Sequence, residues 1–128
     1  MIKISSLKGK KGFQKVYNNG IRVKEKEVQL IILKSIEKGR ASLNNKREFS
    51  FYNSIINIGI PINKKFGNAV HRNKAKRRIR SICRELLHEV DVSCSIIIRP
   101  SLDFKDLSYK RSKEIFESLF RKSGILQS

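Results

Sequence analysis

Residues 64–84 read KKFGNAVHRNKAKRRIRSICR. Nine of these 21 residues are Lys or Arg, and none is Asp or Glu before Glu85. The run is periodic as well as basic. At about 100° per residue from Ala69 onward, Ala75, Ile79, Ile82, Cys83 and Leu86 share one stripe. Asn73, Lys76, Arg77, Arg80 and Arg84 share a neighbouring face. The spacing predicts a helix with Asn68 as N-cap, running to about Val90. Its apolar stripe faces a core and its cationic face is left for a partner. A solvated charged face normally mixes signs, and this one does not. Arg and Lys one turn apart suit successive phosphates, and Arg can grip them bidentately.

The whole chain agrees with that reading. Its 128 residues suggest a single domain, 1–128, large enough for a real core. A net charge of +18 repels itself and calls for a polyanion. Nucleic acid is favoured over an anionic membrane surface. No apolar run approaches the ~20 residues of a membrane span, and MIKISSLKGKKGF lacks the apolar centre of a signal peptide. A soluble cytoplasmic protein is expected. Cys83 and Cys94 read as two reduced thiols, with Cys83 in the core. A zinc site using His71 or His88 fails on spacing, for there is no CxxC or HxxxH pair.

Working outward from the basic run, Ile55 to Lys64 alternates. Ile56, Ile58, Ile60 and Ile62 point one way, and Asn57, Gly59, Pro61 and Asn63 the other. Pro61 cannot donate to a ladder, which suggests an edge position there. Upstream, Gly12–Asn19 predicts a short helix with Phe13, Val16 and Tyr17 on one side and Gly20 as its stop. Met1–Lys11 is basic and extended or partly ordered. Ile21–Lys26 and Val28–Leu33 predict strands, the second buried on both faces for part of its length. Ser35–Asn53 is polar and reads most simply as a long hairpin loop between strands. Downstream, Ser95–Ile98 predicts a buried strand and Ser101–Leu107 a loop. Ser108 caps a last helix with Ile115, Phe116, Leu119 and Phe120 as its apolar stripe, and Gly124 ends it. The expected fold is α+β, a sheet of about four strands with helices packed on one side. The isoleucine strand, the basic helix and Ser95–Ile98 form a βαβ unit, right-handed by default.

Nothing in the chain reads as a self-contained active site. Its 11 acids are scattered, without the carboxylate cluster or His-based pair that a protein nuclease needs. His71 and His88 read as structural or surface residues. A second binding surface is suggested by Phe13 and Tyr17. They are either core or, beside the polar strand face of Asn57 and Asn63, platforms for unpaired bases. Lys10, Lys11, Lys15 and Arg22 would then supply phosphate contacts.

The run KKFGNAVHRNKAKRRIR resembles the signature of the bacterial ribonuclease P protein subunit, KK-x-G-x-AV-x-RN-x-x-KR-x-x-R, known as the RNR motif. It is matched by Lys64, Lys65, Gly67, Ala69, Val70, Arg72, Asn73, Lys76, Arg77 and Arg80. FQKVYNNG at 13–20, SIIIRP at 95–100 and SLFRKS at 118–123 extend the likeness over most of the chain. The resemblance implies an α/β sandwich of order αβββαβα with a left-handed βαβ crossover. It implies a protein cofactor of a catalytic RNA that uses Mg²⁺, bound mainly by the RNA, to remove the 5′ leader of precursor tRNA. It implies no organic cofactor, no metal or catalytic residue in this chain, no membrane, and no need for a protein oligomer.

By match, Lys64, Lys65, Asn68, Arg72, Asn73, Lys76, Arg77, Arg80 and Arg84 would contact the catalytic RNA. Phe13 and Tyr17, with Lys15, Arg22, Asn57 and Asn63, would form the leader cleft. Ile31 and Leu126 stand where some members carry cleft tyrosines, Pro61 replaces a small polar residue, and the Ser35–Asn53 connection is longer than usual. The alternatives are a ribosomal or other structural RNA-binding protein, and a protein-only nuclease, which the scattered acids disfavour.

Overall fold

Alternating isoleucines and near-continuous apolar runs need a sheet covered on both faces, and the chain builds one. The computed structural model describes residues 2–34, 54–90 and 92–126. Its strands are β1 (Ile2–Ser6), β2 (Ile21–Lys24), β3 (Val28–Lys34), β4 (Ser54–Gly59) and β5 (Cys94–Pro100). They form one five-stranded sheet of order β1-β4-β5-β3-β2. The helices are α1 (Lys10–Asn19), α2 (Ala69–Leu87) and α3 (Tyr109–Ser123), with 3₁₀ turns at Lys64–Phe66 and Leu102–Phe104. Among the described residues, no helix is long and apolar enough to cross a membrane.

The main core lies between the sheet and α2 with α3. Ile58, Ile96 and Ile32 stand in one cross-strand row, and Ile98 pairs with Leu30 in the next. Such rows of branched side chains stabilise a sheet from the side that is covered. Ala75, Ile79, Ile82, Cys83 and Leu87 of α2 close on them, with Ile115, Phe116, Leu119 and Phe120 of α3. The Phe116 ring meets Phe104 edge-on at 6.1 Å between centroids, a favoured aromatic geometry. Asn68 caps α2 by accepting from the His71 N–H at 3.1 Å, and Ser108 caps α3 by accepting from the Arg111 N–H at 3.1 Å. Gly124 ends α3 at φ 87°, in the left-handed region that glycine enters without steric cost.

The second core is smaller. Val16 of α1 packs on Ile31 and Ile97, with Leu7, Phe13, Tyr17 and Leu33 around them. Thus α1 covers the sheet face opposite to α2 and α3. This corrects the expectation that all helices lie on one side. The signal was present in β3, where Leu30 and Ile32 face one core and Ile31 the other.

Other expectations also change. The sheet has five strands rather than about four, because Ile2–Ser6 pairs in parallel with β4. Among the described residues the order is therefore βαβββαβα. Only Ile2 and Ile4 alternate in β1, too few to announce a strand. The 35–53 connection, expected as a long hairpin loop, lies outside the described residues. The strands it joins, β3 and β4, are separated by β5. Strand β4 is internal and ends at Gly59, so Pro61 lies beyond the ladder rather than on an edge strand. The basic helix stops at Leu87 rather than Val90, and Leu87 replaces Leu86 as its last fully buried residue. The βαβ unit is present, with β4 and β5 parallel neighbours joined through α2.

Candidate nucleic-acid interface

The cationic surface begins in the segment that leaves β4. Asn63 accepts from the Lys65 N–H at 3.0 Å, which sets the 3₁₀ turn and leaves Lys64 and Lys65 exposed. Gly67 follows at φ 153°, a conformation open in practice to glycine alone. Arg72 donates to the Gly67 carbonyl at 2.7 Å. Along α2, Asn73, Arg77 and Arg84 are exposed, and Lys76 and Arg80 are half-buried on the same side.

Among the described residues, the ion-paired acids are Glu25, Glu85, Glu89, Glu114 and Glu117. Their partners are His88 and basic residues of α3: Arg111, Lys113, Arg121 and Lys122. None pairs with a residue of 64–84. Charge compensation is therefore spent on α3, and the face of α2 keeps its full positive potential.

The expected contact residues divide into two kinds. Lys64, Lys65, Asn73, Lys76, Arg77, Arg80 and Arg84 present side chains outward. Asn68 and Arg72 spend theirs on the backbone, one as the helix cap and one on the Gly67 carbonyl, so both shape the surface. Arg78, not expected at the site, reaches away to donate to the Leu107 carbonyl.

The second surface lies on the other side of the sheet. Phe13 is half-buried over β4, where Gly59 leaves it room. Tyr17, one turn on, is half-buried beside two guanidinium groups. Arg22 lies 5.9 Å and Arg99 6.0 Å from its ring centroid, within the range of cation–π attraction. Arg22 also donates to the Tyr17 carbonyl at 2.9 Å, which holds it there. An open cleft runs between Tyr17, Pro61, Ile62, Asn63 and Arg99.

Tyr17, Arg22 and Asn63 are thus brought together, and Phe13 borders them. Lys15 is exposed on α1. Asn57 is not in this cleft. It sits in the row Ser5–Asn57–Ser95, on the far side of the Gly59 row that Phe13 covers. Arg99 is the residue that sequence reading missed. Strand parity places it with Ile97 on the α1 face, but only the position of α1 gives that face a meaning. Ile31 is fully buried under α1 and Leu126 packs against the main core, so neither lines the cleft.

The two surfaces are continuous. Pro61–Asn63 lines the cleft, and Lys64 and Lys65 open the cationic surface directly after it. Burial pushes both thiols, Cys83 and Cys94, up to about 12, which makes them inert core groups. Among the described residues, no three His, Cys, Asp or Glu gather as a metal site.

Comparison with known proteins gives the family. A family model described as Ribonuclease P matches residues 1–124. The ribonuclease P protein component of Finegoldia magna is 30% identical over 109 residues, 84% of this chain and 94% of that protein. That of Dictyoglomus turgidum is 40% identical over 74 residues, 55% of this chain but only 60% of that protein. In fold, the chain is similar to the RNase P protein of Staphylococcus aureus. The TM-score is 0.73 at 22% identity, covering 94% of this chain and 95% of that one. The Thermotoga maritima RNase P protein superposes with a TM-score of 0.68 at 19% identity, covering 91% and 96%. With the family model spanning nearly the whole sequence, the chain belongs to the ribonuclease P protein family.

Proposed function

We propose that this chain is the protein subunit of ribonuclease P and assists removal of the 5′ leader from precursor tRNA. The face of α2 and the segment before it bind the catalytic RNA. The cleft at Tyr17, Arg99 and Asn63 holds the single-stranded leader. One observation carries this reading: an uncompensated cationic helix runs without a break, through Pro61–Asn63, into a cleft with an aromatic ring beside two guanidinium groups. The helix offers charges at one-turn spacing to a structured polyanion. The cleft offers a ring face to a base and two cations to its phosphates, as single strands require.

In this reading the protein does no bond chemistry. It offsets phosphate repulsion and anchors the leader, which stabilises the complex of catalytic RNA and substrate, where RNA-bound Mg²⁺ would supply the chemistry of hydrolysis. The test is cleavage of precursor tRNA by the catalytic RNA at low Mg²⁺, with and without this protein. The protein should raise cleavage strongly under those conditions and cleave nothing alone. No stimulation of the RNA, or cleavage by protein with RNA excluded, would overturn the proposal. The first result would leave a structural RNA-binding protein, the second a protein nuclease.

A further inference from the structure

A pocket of about 170 Å³ opens at the start of α2, between its first turns and the 3₁₀ turn Leu102–Phe104. It lies on the main-core side, away from the cleft at Tyr17. Phe66, Ala75 and Phe104, all buried, form an apolar floor. His71, Lys74, Lys105 and Asp106, all exposed, form the rim.

The walls are pinned by two arginines of α2. Arg72 holds the Gly67 carbonyl on one side, and Arg78 holds the Leu107 carbonyl on the other. Gly67 keeps the mouth clear. A Cβ there would stand 2.9 Å from the His71 Cβ and 3.3 Å from the Lys105 Nζ. Among the described residues, the Asp106 carboxylate has no hydrogen-bond or ion-pair partner, nor has Lys74 or Lys105. An acid standing unpaired beside two unpaired lysines is set for a ligand with both a donor and a negative charge.

Size narrows the ligand. A cavity of about 150 Å³ admits a benzene-sized ring, so this pocket fits one six-membered ring. Among bases, the one-ring base with an exocyclic amine is cytosine, whose amine is a natural donor to a carboxylate. The rim lysines supply the phosphate contacts. Lys74 on the rim stands one turn from Arg77 of the cationic face, which says which molecule brings the base.

We propose that this pocket takes a single unpaired cytosine of the partner RNA. The cytosine amine donates to Asp106, the ring lies on the apolar floor, and Lys74 and Lys105 meet the flanking phosphates. The identity of that RNA rests on the function proposed above.

The first test titrates the full chain with cytidine 5′-monophosphate, uridine 5′-monophosphate or inorganic phosphate, read by ¹H–¹⁵N spectra. The cytidine nucleotide should shift the amides of His71, Lys105 and Asp106 well beyond either other probe. Equal shifts with the uridine nucleotide or phosphate would overturn the base assignment and leave an anion pocket only. The second test uses the sign of a charge effect. Asp106→Ala removes an anion beside a polyanion site, so charge alone would tighten binding of the catalytic RNA. Loss of the amine contact would weaken it, and a threefold or greater rise in Kd is expected. Tighter or unchanged binding overturns the proposal. Arg77→Ala with Arg80→Ala, measured alongside, separates the two readings. If that pair weakens binding and Asp106→Ala does not, the pocket assignment alone fails; if the pair has no effect, the assembly surface is misassigned.

Discussion

Phe13 lies against the backbone of Gly59: a Cβ on that glycine would stand 2.6 Å from the Phe13 Cζ. The contact ties α1 to the internal strand β4 and fixes where the cleft begins. Gly59→Ala must move the ring or the strand, and overpacking of this kind costs about 1–3 kcal/mol. In a Phe13→Ala background the same substitution should cost less by more than about 0.5 kcal/mol, since the two residues touch. Urea unfolding of the four proteins checks this. Additive losses would show that the ring does not rest on Gly59.

Arg99 of β5 stands over the Tyr17 ring at 6.0 Å, as Arg22 of β2 does at 5.9 Å. If the leader lies in this cleft, Arg99→Ala should weaken binding of precursor tRNA to the holoenzyme by roughly tenfold, about 1.4 kcal/mol. Binding of mature tRNA, which has no leader, should change little. The salt dependence for the precursor should also fall by about one contact. Equal losses for both substrates would remove Arg99 from the leader site.

Much of this architecture is legible in the residues, and the exceptions have physical causes. The stripe on 64–84 announces both a docked helix and a free cationic face because nine like charges leave one direction apolar. Ser108 and Gly124 mark the ends of α3 because caps are local chemistry. Strand order is not local. Ile2–Ser6 is too short to show a period, and nothing in 35–53 tells whether β3 and β4 pair or enclose β5. The same limit hid Arg99, whose role depends on α1 lying over the face opposite α2. Gly20 ends α1 as expected, but not by a left-handed turn, since its φ is −81°. It is needed because a Cβ would stand 2.7 Å from the Val16 carbonyl oxygen.

Burial raises Cys83 and Cys94 to about 12. At pH 8 the thiolate fraction of either would be about one in ten thousand, and the thiolate is the reactive form. A disulfide-exchange reagent should therefore label neither thiol in the native protein on a timescale that labels both in denaturant. Slow native labelling should track global unfolding across a urea series. Rapid labelling at low denaturant would show that α2 opens locally.

Tyr109 donates to the exposed carboxylate of Glu85, and Lys113 lies 3.3 Å from it. The tyrosine hydrogen bond first, and the lysine second, hold Glu85 below the ordinary 4.5. This contact between α2 and α3 therefore stabilises the fold above pH 4.5 and is lost as pH falls through the lower folded value. A carboxyl-detected titration should place the Glu85 midpoint below 4.5. Tyr109→Phe should return it further than Lys113→Ala. The opposite ranking would make the ion pair the stronger cause.

Arg77 and Arg80 sit one turn apart on α2 and pair with no acid among the described residues. Replacing both by Ala leaves the buried stripe of Ala75, Ile79 and Ile82 intact, so the fold should hold. Each lost phosphate contact returns close to one counterion to the RNA, and the slope of log K against log salt should shrink by about 2. Affinity for the catalytic RNA should fall most at low salt and converge with the parent protein at high salt. A loss that is uniform across salt would instead mean that the substitutions damaged the fold or broke a neutral contact. Circular dichroism of the double variant separates those two causes.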